Sequence, residues 1–169
     1  MPQNLLLNMI SNIFLIFKSL IFWINLVISV ILFGPVAFLF GLVSYNACLS
    51  ISKAWCRYNL LILKSVCSLT YEYSGSKINT HKIFISKHQS AWETIFLAAY
   101  VNNPIFILKK ELLMIPIFGW CLFLLKNISI DRSDGAASLK KIINECSEHI
   151  ENKKTLIIFP EGTRLPYGS

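Results

Sequence analysis

"KIFISKHQSAWETIFLAAYVNNPIFILK", residues 82–109, carries the alternation that decides the fold. KIFIS at 82–86 is a short apolar run and reads as a buried strand. Residues 90–101 read as a helix opened by Ser90. PIFILK at 104–109 reads as a second strand. Strand, helix and strand in succession are the unit of an α/β sheet with parallel pairs.

The alternation continues downstream. MIPIFGWCLFLL at 114–125 predicts a short apolar helix, and NISID at 127–131 a strand. Residues 134–152 predict a helix with Leu139, Ile142, Ile143, Cys146 and Ile150 on one face. TLIIF at 155–159 predicts a final strand. The expected fold class is therefore α/β, a mostly parallel sheet flanked by helices. Ligands of such sheets gather at the carboxyl ends of the strands. Three charged clusters follow predicted strands: His88 with Glu93, Asp131 with Arg132, and Glu161 with Arg164.

Upstream the chemistry changes. Residues 19–52 contain no Asp, Glu, Lys or Arg, and 15 of the 16 basic residues and all 9 acidic ones follow residue 52. A straight helix of this length would run about 51 Å, against about 30 Å for a hydrocarbon core. Gly34-Pro35 is the expected break, because Pro removes a donor and clashes with the preceding turn. Two arrangements fit: one tilted span near residues 20–40, or a two-helix hairpin in one leaflet. Residues 53–69 place Lys53, Arg57 and Lys64 on one arc and Trp55, Tyr58, Ile62, Val66 and Leu69 opposite. That pattern fits a helix lying among lipid headgroups, and it fits an amphipathic core helix as well. The expected organisation is a membrane-associated helical segment over 1–52, an amphipathic helix over 53–70, and an α/β domain over 71–169. Basic residues after the apolar run place the globular part in the cytoplasm.

The net charge of +7 favours anionic partners. The basic residues are scattered, with an apolar segment beside them, so no nucleic acid partner is expected. Membrane lipids are. The five cysteines form no CxxC and no metal-ligand spacing with histidine. They read as free thiols packed as small apolar groups, and no metal site is expected.

Ser90 and Glu93 stand at capping-box spacing, so Glu93 can reach back to the backbone of Ser90. His88, just before this helix, can meet the same carboxylate. The two readings do not exclude each other. FPEGTR at 159–164 ends a predicted strand in a turn. Gly162 lets the backbone approach a ligand closely, and Arg164 offers a planar fork for an anion.

KHQSAWE followed by FPEGTR resembles the glycerolipid acyltransferases, in their bacterial 1-acyl-sn-glycerol-3-phosphate acyltransferase form. The family's H-x4-D is matched by His88 to Glu93, with Glu in place of Asp. Lys110-Glu111-Leu112, Pro116, Gly119 and Ile130-Asp131-Arg132 match its second region, and residues 159–164 its third. The resemblance implies a glycerolipid acyltransferase fold preceded by N-terminal membrane helices. It implies a membrane enzyme that moves a fatty acyl group from an acyl thioester to the sn-2 hydroxyl of lysophosphatidic acid, giving phosphatidic acid for phospholipid biosynthesis. The donor would be acyl-CoA or an acyl carrier protein thioester, with no other cofactor. His88 would be the general base and Glu93 its partner. Arg132, Glu161, Gly162, Thr163 and Arg164 would bind substrate, with Lys110 as a further candidate for the phosphate. The expected location is the inner, cytoplasmic membrane with the catalytic domain facing the cytoplasm.

Two alternatives remain at this point. One is the same fold acting on glycerol 3-phosphate or another lysolipid. The other is a non-catalytic membrane protein that keeps the motifs. A serine hydrolase is disfavoured, because no G-x-S-x-G is present. Family members continue past the third motif, so the chain is expected to be truncated at its C-terminus, with TLIIF left as an unpaired sheet edge.

Overall fold

The computed structural model describes residues 2–72, 74, 83–131 and 135–163. A long helix α1, Pro2–Gly41, turns back into α2, Tyr45–Cys67. There follow β1, Ile83–Ile85; α3, Trp92–Tyr100; β2, Pro104–Lys109; a 3-10 turn, Lys110–Met114; α4, Phe118–Leu124; β3, Ile128–Ile130; α5, Gly135–Glu151; and β4, Thr155–Ile158. The alternation read from the sequence is present element by element.

The chain does not break at Gly34-Pro35. α1 runs through Pro35. The missing Pro donor costs one bond of the helical ladder, and Gly34 serves another purpose. A Cβ there would lie 2.2 Å from Ile117 Cγ2, so the glycine is the notch into which the segment before α4 docks. The turn comes instead at residues 42–44, where the Ser44 amide donates to Phe40 O at 2.9 Å and the Ser44 hydroxyl accepts from the Ala47 amide. Ser44 thus caps α2 in extended backbone, as an N-cap residue does. The helix boundary accordingly lies at 42–44, and residue 53 falls inside α2.

The apolar stripe of α2 meets protein. Trp55 Nε1 donates to Ser29 Oγ at 2.9 Å, and the Tyr58 hydroxyl donates to Asn25 Oδ1 at 2.6 Å. Cys56, Leu60 and Leu63 pack with Ala99 of α3. α2 therefore lies between α1 and the α/β domain, with Trp55 and Tyr58 turned to α1. The outward face of α1 remains apolar, with Phe17, Trp23, Ile24, Val27 and Leu32 exposed. Among the described residues, one helix, over Ser11–Gly41, is long and apolar enough to cross a membrane.

Among the described residues all strand pairs are parallel, in the order β1-β4-β2-β3. This corrects the expected place of TLIIF. β4 is no edge: Leu156 pairs with Ile83 on one side and Ile105 on the other. Sequence order and spatial order part company because β4 enters between two strands laid down earlier. Ile105, Ile128, Leu156 and Ile157 are fully buried, each contributing on the order of 1.5–3 kcal/mol. Ile142 and Cys146 of α5 cover one face of this core. Leu97 and Val101 of the α3 segment cover the other. Because every strand runs the same way, all four carboxyl ends open on one side, and the loops there carry the polar residues of the site.

Candidate active site

β1 delivers the first site residue. Its ladder with β4 extends one step past the strand, through the Ser86 amide and Ile158 O at 3.0 Å. Two residues on, His88 stands before α3, whose first turn holds Glu93. His88 Nδ1 and Glu93 Oε1 are 2.8 Å apart, with the side chains 19% and 15% exposed. The same oxygen accepts the amides of Gln89 and Ser90 at 2.8 and 2.9 Å. Oε2 accepts the Ser90 hydroxyl at 2.7 Å, and the Ser90 oxygen in turn accepts the Trp92 amide at 3.0 Å. Glu93 thus caps the helix entrance and holds the imidazole at once.

Burial pushes the Glu93 carboxyl up, but the Ser90 hydroxyl and amide, the residue's own backbone and His88 together outweigh it. The net effect holds Glu93 below the ordinary carboxylate range. An ionised carboxylate only accepts. A neutral imidazole then carries its proton on Nδ1, which leaves the lone pair on Nε2. No partner holds Nε2 among the described residues.

β4 delivers the second group from the neighbouring strand. Phe159 follows directly and stacks on His88, with ring centroids 4.3 Å apart and planes at 25°. The chain then turns: the Gly162 amide donates to Phe159 O at 3.0 Å, with Pro160 and Glu161 between them and Gly162 at φ 65°. That backbone angle suits glycine. Glu161 Oε2 is buried without a hydrogen-bond partner among the described residues, and Thr163 is exposed. At the ends of β2 and β3, the Lys110 ammonium forms an ion pair with Asp131 across adjacent strands. Gly119 lies over the 3-10 turn, where a Cβ would come within 2.3 Å of Leu113 O. Beside it is an open apolar cavity of about 400 Å³ lined by Phe38, Leu113, Gly119, Trp120 and Phe123.

Of the residues singled out from sequence, the structure brings His88 and Glu93 into contact and places Glu161, Gly162 and Thr163 at the end of the adjacent strand. Arg132 and Arg164 lie outside the described residues. His149, at the end of α5 and so at the other end of the sheet, takes no part in this site. Sequence reasoning missed two contributions. The sequence marks Phe159 as a strand end and as the first residue of FPEGTR, but its stacking on His88 has no local signal. Ser90 was read as a backbone cap, whereas its hydroxyl binds the carboxylate directly.

A parallel α/β sheet bearing a histidine–carboxylate pair at the carboxyl ends of its strands is the class that fold and site define. Residues 71–169 match the family model described as Acyltransferase, and the chain belongs to that family. It is 35% identical over 155 residues to a 1-acyl-sn-glycerol-3-phosphate acyltransferase of Pseudomonas aeruginosa, covering 89% of this chain and 60% of the relative. A protein of the same name from Helicobacter pylori is 37% identical over 101 residues, covering 59% and 42%. Among solved structures, the 1-acyl-sn-glycerophosphate (LPA) acyltransferase from Thermotoga maritima superposes with a TM-score of 0.73 at 21% identity, covering 94% of this chain and 65% of that one. The chain thus spans 60% of the length of the first of these relatives and less than two thirds of the solved one.

Proposed function

We propose that this chain transfers a fatty acyl group from an acyl thioester to the sn-2 hydroxyl of 1-acyl-glycerol 3-phosphate, at the cytoplasmic face of the inner membrane. The observation that carries the reading is the His88–Glu93 pair, with Nδ1 engaged and Nε2 free. Nε2 takes the hydroxyl proton as the oxygen attacks the thioester carbonyl. The imidazolium formed is stabilised by Glu93, as the acid serves in a Ser-His-Asp triad. When the carbon–sulfur bond breaks, the imidazolium returns that proton to the leaving thiolate. The acceptor's own hydroxyl is the nucleophile, so no acyl-enzyme forms and no cofactor beyond the thioester enters the reaction.

The unpartnered Oε2 of Glu161 suits an acceptor hydroxyl, since a buried acceptor left unpaired costs about 1–3 kcal/mol until a donor arrives. Arg132 and Arg164, which follow β3 and β4 in the chain, would bind the acceptor phosphate through guanidinium forks. Lys110, already paired with Asp131, ranks behind them. The exposed apolar face of α1 would keep the site at the bilayer, where both acyl-bearing substrates reside.

The test is release of free thiol from an acyl thioester by purified protein in detergent, with a panel of acceptors. Turnover is expected with lysophosphatidic acid and is expected to fall with glycerol 3-phosphate and with lysolipids lacking the phosphate. Arg164→Ala is expected to raise the KM for the acceptor tenfold to a hundredfold, in line with about 1.5–3 kcal/mol for a charged hydrogen bond, and to leave that for the donor little changed. Turnover with none of these acceptors would refute the assignment.

A further inference from the structure

The imidazole of His88 is held on two sides by chain segments far apart in sequence. Glu93 fixes its Nδ1 edge at 2.8 Å. Phe159 covers one face at 4.3 Å, nearly parallel at 25°. Behind Phe159 stands Phe106 of β2, with centroids 6.4 Å apart and planes at 19°. The three rings lie across three neighbouring strands of the sheet, β1, β4 and β2, in that order. Phe159 belongs to the same packed cluster as Leu97, Val101 and Ile157, all buried, so the ring has little freedom to leave.

We infer that Phe159 is a positioning residue for the base, acting through its aromatic face on the imidazolium that His88 becomes during proton transfer. The inference rests on the reading of His88 as general base and adds a group to its machinery. An aliphatic side chain could fill the same volume. Only an aromatic face presents the negative quadrupole that attracts a cation lying over it. The neutral imidazole gains little from that attraction and the cation gains more. Such an interaction strengthens on the way to the transition state, which is the condition for raising kcat and not merely affinity. The flat contact also holds the ring plane, so that Nε2 keeps one direction while Glu93 holds the other nitrogen. Among the described residues, the charged group in contact with the imidazole is Glu93 of α3; Lys87 adjoins His88 in the chain, and Glu161 follows Phe159 by two residues. Phe159 stacks on a face of the ring.

The experiment compares Phe159→Leu and Phe159→Tyr with wild type in the full chain, in detergent, with an acyl thioester and lysophosphatidic acid. Phe159→Leu keeps apolar bulk without the π face, and Phe159→Tyr keeps the face. Phe159→Leu is expected to lower kcat about threefold to thirtyfold, with both KM values within about twofold of wild type. The acid limb of its kcat profile is expected to move to lower pH, because the cation has lost a stabilising contact. Phe159→Tyr is expected to stay within about twofold of wild type throughout. In proton NMR, the His88 ring signals of wild type and Phe159→Tyr should carry a ring-current shift that Phe159→Leu lacks. A Phe159→Leu enzyme with wild-type kcat would overturn the inference while leaving the base assignment intact. So would equal losses in both variants, or a loss confined to KM or to thermal stability with an unmoved pH profile. A wild-type chain that transfers no acyl group fails on the function itself, and that failure is visible before any variant is made.

Discussion

Two polar clusters in this molecule use the same kinds of bonds to opposite ends. Between α1 and α2, Asn25, Ser29, Trp55, Tyr58 and Asn59 form a closed set of neutral groups. Asn59 Nδ2 donates to Trp55 O at 2.9 Å, Ser29 Oγ donates to Leu26 O at 2.9 Å, and Trp55 and Tyr58 donate to Ser29 and Asn25. Asn59 is 0% exposed and Ser29 2%. At the mouth of α3 the set is charged and open. Four donors converge on the two oxygens of Glu93, yet among the described residues His88 Nε2 has no partner, and neither does Oε2 of Glu161. A buried polar group normally finds a partner. A closed cluster is therefore a fastener, here one that fixes how two apolar helices pair. An open one keeps a valence for something that comes and goes. Small residues and interhelical hydrogen bonds do the fastening where apolar helices have little hydrophobic reason to choose a register.

The contrast breaks most sharply at His88. His88→Ala should lower acyl transfer by about 10² to 10⁴ and leave the thermal midpoint and membrane association as in wild type. An inactive variant that also unfolds would make His88 a structural residue like Asn59. Asn59→Ala should do the reverse. It strands the partners of a closed network and should cost about 1–3 kcal/mol of stability, read as a lower denaturation midpoint, with kcat unchanged in the folded enzyme. A smaller effect of the same kind is expected for Trp55→Phe, which deletes one indole donor and should cost about 0.5–1.5 kcal/mol.

Acidification sharpens the comparison further. Glu93 is held below its ordinary value in the folded chain, so its stabilising share is fully present above the unfolded carboxylate range. It is lost as pH falls from about 5 through the folded value. Wild type should therefore lose stability over that window by more than Glu93→Gln does, as followed by thermal melts at stepped pH. The α1–α2 network holds no group that titrates there, so the helical hairpin should show no matching loss.

Local pattern made much of this molecule legible. Residues 104–109 were read as a strand and form β2 with those bounds, because an apolar run between turn signals is a local property. The dyad was legible because His88 and Glu93 are five residues apart across a helix start. What the sequence did not disclose is set by partners far along the chain. Nothing in TLIIF says which strands flank it, and β4 entered the sheet between β1 and β2. The wheel of α2 showed an apolar stripe without saying what covers it, and the answer lay in Asn25 and Ser29, some thirty residues earlier. Pro35 looked like a break because its cost is local. The docking of Ile117 against Gly34, which uses the unbroken helix, is not. Phe159 lies 71 residues from the ring it covers.

The central claim is that Glu93 does more than cap a helix, and one pair of variants tests it most directly. Gln at position 93 can still accept the amides of Gln89 and Ser90, so a capping role survives Glu93→Gln. The charge that stabilises the imidazolium does not. Rates of acyl transfer should be measured for Glu93→Gln and Glu93→Asp beside their thermal midpoints. The account predicts that Glu93→Asp keeps most of the activity, while Glu93→Gln loses on the order of a hundredfold or more with its fold intact. Full activity in a folded Glu93→Gln protein would contradict it, and would reduce the His88–Glu93 contact to the ornament of a helix cap.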